Sequence, residues 1–303
     1  MNLHFYFLLT FVCFFIPSGC QSPSDFEKNI YFVTHTANGS IFKIGFDSAG
    51  DHHYERLVIE CLPNSTLISI IIHGWRENYN STAWVSDLIS NITEIRGGCV
   101  LFMDYSKYSV GDYGLLVSYF KSISDVLANQ IKRLELLGYD PTNIFMFGFS
   151  YGAHLAMEAG FKFGPRKIAR IDVCDPAYPL FPADIDMALR YAFSADIVQC
   201  IHTSADYGTP LRWCPISWSM GNCGWTQPAA TVPPRLHHGL CPYFYTSAFK
   251  NDFKAIEKPP QCPSTKIGKY QNGFVMGYRM NLTLGGIGEY FAETSTSPTF
   301  NVL

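Results

Sequence analysis

An α/β fold, with a mostly parallel central sheet and helices on both faces, is predicted by three observations. Short continuous apolar runs, Leu67–Ile72, Val100–Met103 and Asn143–Phe147, read as strands covered on both sides. Segments with apolar residues at intervals of three and four separate them, and that alternation implies right-handed parallel crossovers. Finally, 303 residues at 48 % hydrophobic suffice for one large core.

The elements follow in order. Residues 1–20 carry an apolar stretch from Phe5 to Ile16, too short to cross a bilayer comfortably, and end in Pro17-Ser18-Gly19-Cys20. They read as a signal peptide, leaving 21–303 as a single domain. No later segment is long and apolar enough to span a membrane, so an exported, extracellular protein with no transmembrane anchor is expected. Ile30–Thr34 and Ile41–Gly45 flank Asn38-Gly39 as an antiparallel hairpin. Trp84–Ile95 has helical spacing, and Leu115–Leu137 is a long amphipathic helix ended by Gly138. After the strand that ends at Phe147, a helix at Ala153–Phe163 stops at Gly164-Pro165. A strand Ile168–Cys174, a short helix Ile185–Tyr191 and a strand Ile197–Thr203 complete the alternation. Tyr207–Pro234, crowded with Pro, Trp, Gly and Cys, reads as a long irregular loop of the kind that walls an active site. Phe274–Met280 and Gly288–Thr294 are expected as two antiparallel strands.

Net charge of −3 offers no basic field, so no nucleic-acid partner is expected. Eight cysteines remain after the leader: Cys61, Cys99, Cys174, Cys200, Cys214, Cys223, Cys241 and Cys262. That even set suits an oxidising compartment, as do the sequons at Asn38, Asn64, Asn80, Asn91 and Asn281. Pairing neighbours gives Cys61 with Cys99, Cys214 with Cys223 and Cys241 with Cys262, leaving Cys174 and Cys200 to pair or stay as thiols. No cluster has zinc-ligand spacing.

Gly148-Phe149-Ser150-Tyr151-Gly152 joins a strand to a helix, the setting in which a sharp turn lifts a serine clear of a sheet. Such a nucleophile elbow implies an α/β-hydrolase fold and asks for an acid, then a histidine, later in the chain. Asp175, followed by Pro176, stands at the carboxyl end of a strand, where sites in open α/β sheets lie; Asp172 falls inside the strand pattern. The base must come from His202, His237 or His238. His202 lies in a strand and reads as structural, and the mechanics leave His237 and His238 both open. Oxyanion donors are expected from the amides of Tyr151 and, in His73-Gly74-Trp75, of Trp75.

These residues carry a resemblance. Ile70–Trp75, Gly148–His154, Asp175–Phe181 and Ile201–Thr203 look like blocks of the secreted pancreatic-lipase family, in family order, and the chain is similar to its insect phospholipase A1 and lipase members. The resemblance implies a lipase-like domain over 21–303 and a carboxylic ester hydrolase acting on glycerolipid or phospholipid at a lipid surface through Ser150, Asp175 and His238. It places the base at His238, because the family histidine stands six and seven residues before an aromatic pair, here Phe244-Tyr245, with Tyr243-Phe244 giving His237 as the alternative. Ala230 and Leu236 stand where the family has lid-bounding cysteines, so only a remnant of a lid, Thr231–Arg235, is implied. Tyr191 and Ser194 replace acidic calcium-binding positions of some relatives, so neither metal nor other cofactor is expected. The chain ends where larger relatives begin a C-terminal β-sandwich, which implies no colipase-type docking domain. The alternative is a catalytically weak or inactive yolk-like lipid-binding or storage protein on the same fold.

Overall fold

The computed structural model describes residues 24–47, 50–52, 54–63, 66–182, 184–230, 236–264 and 266–302. The leader, the Asn64 sequon and the lid remnant at 231–235 lie outside the described residues.

The chain opens with β1 (Tyr31–His35), β2 (Ile41–Asp47) and β3 (Gly50–His52), then α1 (Tyr54–Glu60). The alternation runs β4 (Ile68–Ile72), α2 (Ala83–Ile95), β5 (Cys99–Asp104), α3 (Ser106–Ser109), α4 (Tyr113–Ser118), α5 (Phe120–Leu136), β6 (Ile144–Phe149), α6 (Tyr151–Phe163), β7 (Arg170–Cys174), α7 (Ile185–Ala192) and β8 (Ile197–His202). It closes with β9 (Ile216–Met220), α8 (Leu236–Gly239), α9 (Cys241–Ser247) and β10 (Gly288–Ala292). Among the described residues the sheet has ten strands in the order β10-β9-β8-β7-β6-β4-β5-β1-β2-β3. Pairing is parallel from β10 to β5 and antiparallel across β1, β2 and β3.

Strand periodicity assigns the two faces. Ile70, Ile72 and Met146 pack with α5 and α6, including Ile123, Leu127 and Leu155. Ile71, Phe145 and Phe147 pack on the other side with α2 and α9, including Leu88, Ile92 and Phe244. Every residue of β4, β5 and β6 is buried, which accounts for their predominantly apolar sequence.

Three expectations are corrected. The long helix is two: Asp112 caps α4 by accepting from Leu115 N–H at 2.8 Å, and Tyr119 N–H closes that helix on Leu116 O before α5 begins. The irregular loop contains β9, whose alternating Ser217 and Ser219 are buried and hydrogen-bonded, Ser219 Oγ donating to Glu289 at 2.6 Å. Polar residues at buried strand positions conceal a strand from a hydrophobicity pattern. At the C-terminus, Gly288–Ala292 is β10 and runs parallel to β9, whereas Phe274–Met280 forms only an isolated bridge from Val275 to Lys254. Side chains also hold that segment: Arg170 donates to Gly277 O and Tyr278 O, and Gly277 N–H donates to Gln199.

The cysteine pairing also differs. Cys61–Cys99 forms, but the others are Cys174–Cys241, Cys200–Cys214 and Cys223–Cys262. Neighbours in sequence diverge here because the sheet and its crossovers, not chain proximity, set which cysteines meet.

Candidate active site

Parallel order reverses at β4, which has β5 on one side and β6 on the other. The crevice outside the carboxyl ends at such a switch point is the natural ligand site of an open α/β sheet. The chain places His73-Gly74-Trp75 after β4, Ser150 after β6, Asp175 after β7 and Thr203-Ser204 after β8, all on that edge.

Ser150 is held at φ 55°, ψ −119°, a conformation costly for a non-glycine residue. Two glycines permit it. A Cβ at Gly148 would lie 2.5 Å from Gly152 O, and one at Gly152 would lie 2.2 Å from His73 O, so the β6–α6 turn packs directly against β4. Ser150 N–H donates to Cys174 O at 2.9 Å, tying the elbow to β7.

The structure brings Ser150, His238 and Asp175 into one relay. His238 Nε2 is 2.9 Å from Ser150 Oγ, and His238 Nδ1 is 2.6 Å from Asp175 Oδ2. Asp175 is fully buried; its Oδ1 accepts from Thr203 N–H at 2.9 Å and its Oδ2 from Ser204 Oγ–H at 2.5 Å. A buried carboxylate so satisfied can orient an imidazole and balance the imidazolium. His237 does not join: its Nδ1 accepts from Gln227 N–H at 2.9 Å. Asp172 is spent in a buried pair with Arg170 at 2.8 Å and accepts from Tyr245 Oη–H at 2.6 Å.

The remaining buried histidines are held neutral by burial. His73 and His154 are each pushed down to about 4, and His202 falls well below the usual imidazole range. His154 Nε2 lies 2.7 Å from Ala177 O and its ring stacks on Phe181, bracing the chain that leaves Asp175. Tyr191 and Ser194 are also internal: the Tyr191 hydroxyl meets His154 Nδ1, and Ser194 Oγ–H donates to Tyr191 O at 2.8 Å.

Neither Trp75 N–H nor Tyr151 N–H finds an acceptor among the described residues, the condition expected of amides reserved for an incoming oxygen. Beside the relay lies a cavity of about 700 Å³ whose walls include Trp75, Trp84, Tyr113, Phe149, Tyr207 and Leu236.

Two residues at this site escape sequence reasoning. Ser204 anchors Asp175, and its own oxygen accepts from Gly208 N–H at 2.9 Å; its only signal is a hydroxyl just beyond the end of β8. Glu77 lines the cavity, and nothing in its sequence setting distinguishes it from an exposed loop acid.

The Cys174–Cys241 disulfide joins the end of β7, one residue before Asp175, to the start of α9, three residues after His238, across a sequence separation of 67. A cross-link closing a loop of that length stabilises by about 4 kcal/mol on chain-entropy grounds. The double variant Cys174→Ala/Cys241→Ala is therefore expected to melt well below the parent, as differential scanning calorimetry would show. An unchanged Tm would contradict that account.

Residues 56–225 match the family model described as Lipase. Among relatives, lipase member H of Mus musculus is 24 % identical over 207 residues, covering 64 % of this chain and 46 % of its own. Pancreatic triacylglycerol lipase of Oryctolagus cuniculus is 30 % identical over 153 residues, covering 50 % of this chain and 32 % of its own. Lipoprotein lipase of Sus scrofa is 27 % identical over 177 residues, covering 56 % and 37 %. The chain thus spans less than half the length of these relatives. With the elbow after β6, the acid after β7 and more than half of its length matched by the family model, this chain belongs to the Lipase family.

Proposed function

We propose that this chain is an exported carboxylic ester hydrolase acting on glycerolipids, with phospholipids the favoured class, through an acyl-enzyme on Ser150. The observation that carries this reading is the continuous Ser150–His238–Asp175 relay opening onto an apolar cavity. Ser150 Oγ attacks the ester carbonyl while His238 Nε2 takes its proton; the Trp75 and Tyr151 amides hold the oxyanion. His238 then returns the proton to the departing glycerol oxygen, and water repeats the sequence to release the fatty acid. Relatives named as pancreatic triacylglycerol lipase and lipoprotein lipase support a lipid ester as substrate. Four disulfides among the described residues suit an exported protein, and no helix among them is long and apolar enough to cross a membrane.

Arg76 favours a phosphate-bearing head group. It lines the cavity, its side chain is exposed with the guanidinium 4.2 Å from the Trp75 ring, and its backbone sits at φ 61°. A guanidinium at the mouth pairs with a phosphodiester and gains nothing from a third acyl chain. An exposed pair of this kind is worth about 0.5–1 kcal/mol, roughly 2- to 5-fold. Arg76→Gln is therefore expected to lower kcat/KM for dioctanoyl phosphatidylglycerol by that factor and leave dioctanoylglycerol unchanged. Equal losses on both, or none, would remove the head-group argument. The wider reading is tested by purified protein assayed against phosphatidylcholine, a long-chain triacylglycerol and a short-chain ester. Turnover of phospholipid without a rate jump at the aggregation threshold is expected; strong triacylglycerol preference with such a jump would overturn the phospholipid assignment.

A further inference from the structure

An acidic side chain ties the turn that carries the proposed oxyanion donor to the core. Glu77 Oε2 accepts from Gly74 N–H at 2.7 Å, and Glu77 Oε1 accepts from Trp84 Nε1–H at 2.8 Å. Trp84 is buried in α2 with its ring edge-on to Phe147 and Phe149, so one end of this bridge is a rigid part of the core. At the other end, a Cβ on Gly74 would lie 3.1 Å from each of Glu77 Oε2, Phe149 Cδ1 and Ser150 Cβ. The backbone that Glu77 grips therefore rests against the nucleophile, and the next amide along is that of Trp75.

We infer that Glu77 is a positioning residue of the oxyanion turn: its carboxylate, bridging Gly74 N–H and the Trp84 indole, fixes the Trp75 amide toward Ser150. This rests on the ester-hydrolase reading above. Both groups aimed at Glu77 are donors, so the form that fits is the ionised one, which has only acceptors; a protonated acid must turn a donor toward one of them. Burial lifts this carboxyl to about 7, while the Trp84 and Gly74 hydrogen bonds and the His238 charge pull it down. The other titratable groups around it are the Tyr105 phenol, whose own ionisation Glu77 opposes, and Arg76, its neighbour in the turn. As pH falls through about 7, Glu77 gains its proton and the bridge loses an acceptor. Activity should therefore lose a step as pH falls through about 7, and that step belongs to this carboxyl.

The experiment compares wild type with Glu77→Gln and Trp84→Phe on p-nitrophenyl butyrate from pH 5 to 9, with a fluorophosphonate probe counting reactive serines. Removing one oxyanion donor outright costs about 10²–10³-fold, so a donor left in place but loosely aimed predicts a kcat loss of about 10- to 100-fold in Glu77→Gln. KM should stay within about two-fold, because ground-state binding is not what the amide strengthens. The step in activity near pH 7 should be absent from that variant's profile. In Trp84→Phe the carboxylate loses a donor, so the step near pH 7 should move to higher pH. Wild-type kcat and an unchanged step near pH 7 in Glu77→Gln would overturn the inference. So would equal losses in both variants at every pH with the profile shape preserved, the mark of a merely structural role. A wild type that neither turns over esters nor reacts with the probe would instead overturn the ester-hydrolase reading itself.

Discussion

Ser150→Ala is expected to abolish hydrolysis of every ester the wild type accepts, with kcat falling on the order of 10³-fold or more. The substitution removes one oxygen, from a residue only 7 % exposed, and leaves the elbow glycines, the sheet and the disulfides among the described residues in place. Secretion yield and Tm should therefore match the parent. Alanine at φ 55° carries the same backbone cost as serine there, so the loss is chemical. Hydrolysis at the wild-type rate would rule out Ser150 as nucleophile. Loss of activity together with loss of secretion would show that the hydroxyl matters to folding instead.

His238→Ala is expected to be nearly as damaging and His237→Ala almost silent. Only His238 spans from Ser150 Oγ at 2.9 Å to Asp175 Oδ2 at 2.6 Å. Without it the serine has no base, and Asp175 keeps its Thr203 and Ser204 partners but orients nothing. His237 makes a peripheral hydrogen bond to Gln227 N–H, and its removal costs about 0.5–1.5 kcal/mol of stability at most. Steady-state kcat of the two variants, with thermal melts alongside, checks the pair. Equal losses would leave His237 sharing the role, and loss from His237→Ala alone would reverse it.

The uneven legibility of this chain has physical causes. Strands buried on both faces declare themselves by dense apolar runs, and β4, β5 and β6 stand within two residues of where the sequence puts them. Ser150 and Asp175 are legible because each stands just past the carboxyl end of a strand, beside a residue, Gly152 or Pro176, that forces an abrupt exit. The choice between His237 and His238 is not, since adjacent residues of a helical turn point about 100° apart and only the surroundings decide which faces the serine. Those surroundings are Gln227 on one side and Asp175 on the other. β9 was hidden by buried serines, and the cysteine pairing by contacts between segments far apart in sequence. Glu77 was hidden because a loop carboxylate is usually solvated; what marks it is the pair of donors the fold brings to it.

The central claim is that an acyl group passes through Ser150. Its most direct measurement is mass spectrometry of the peptide containing Ser150 after rapid mixing with a short-chain phosphatidylcholine and acid quenching. The account predicts a single acyl adduct on Ser150, heavier than the free peptide by one fatty acyl group, that appears with the first turnover and decays as substrate is exhausted. Steady hydrolysis with Ser150 unmodified at every time point, or an adduct mapped to another residue, would contradict it.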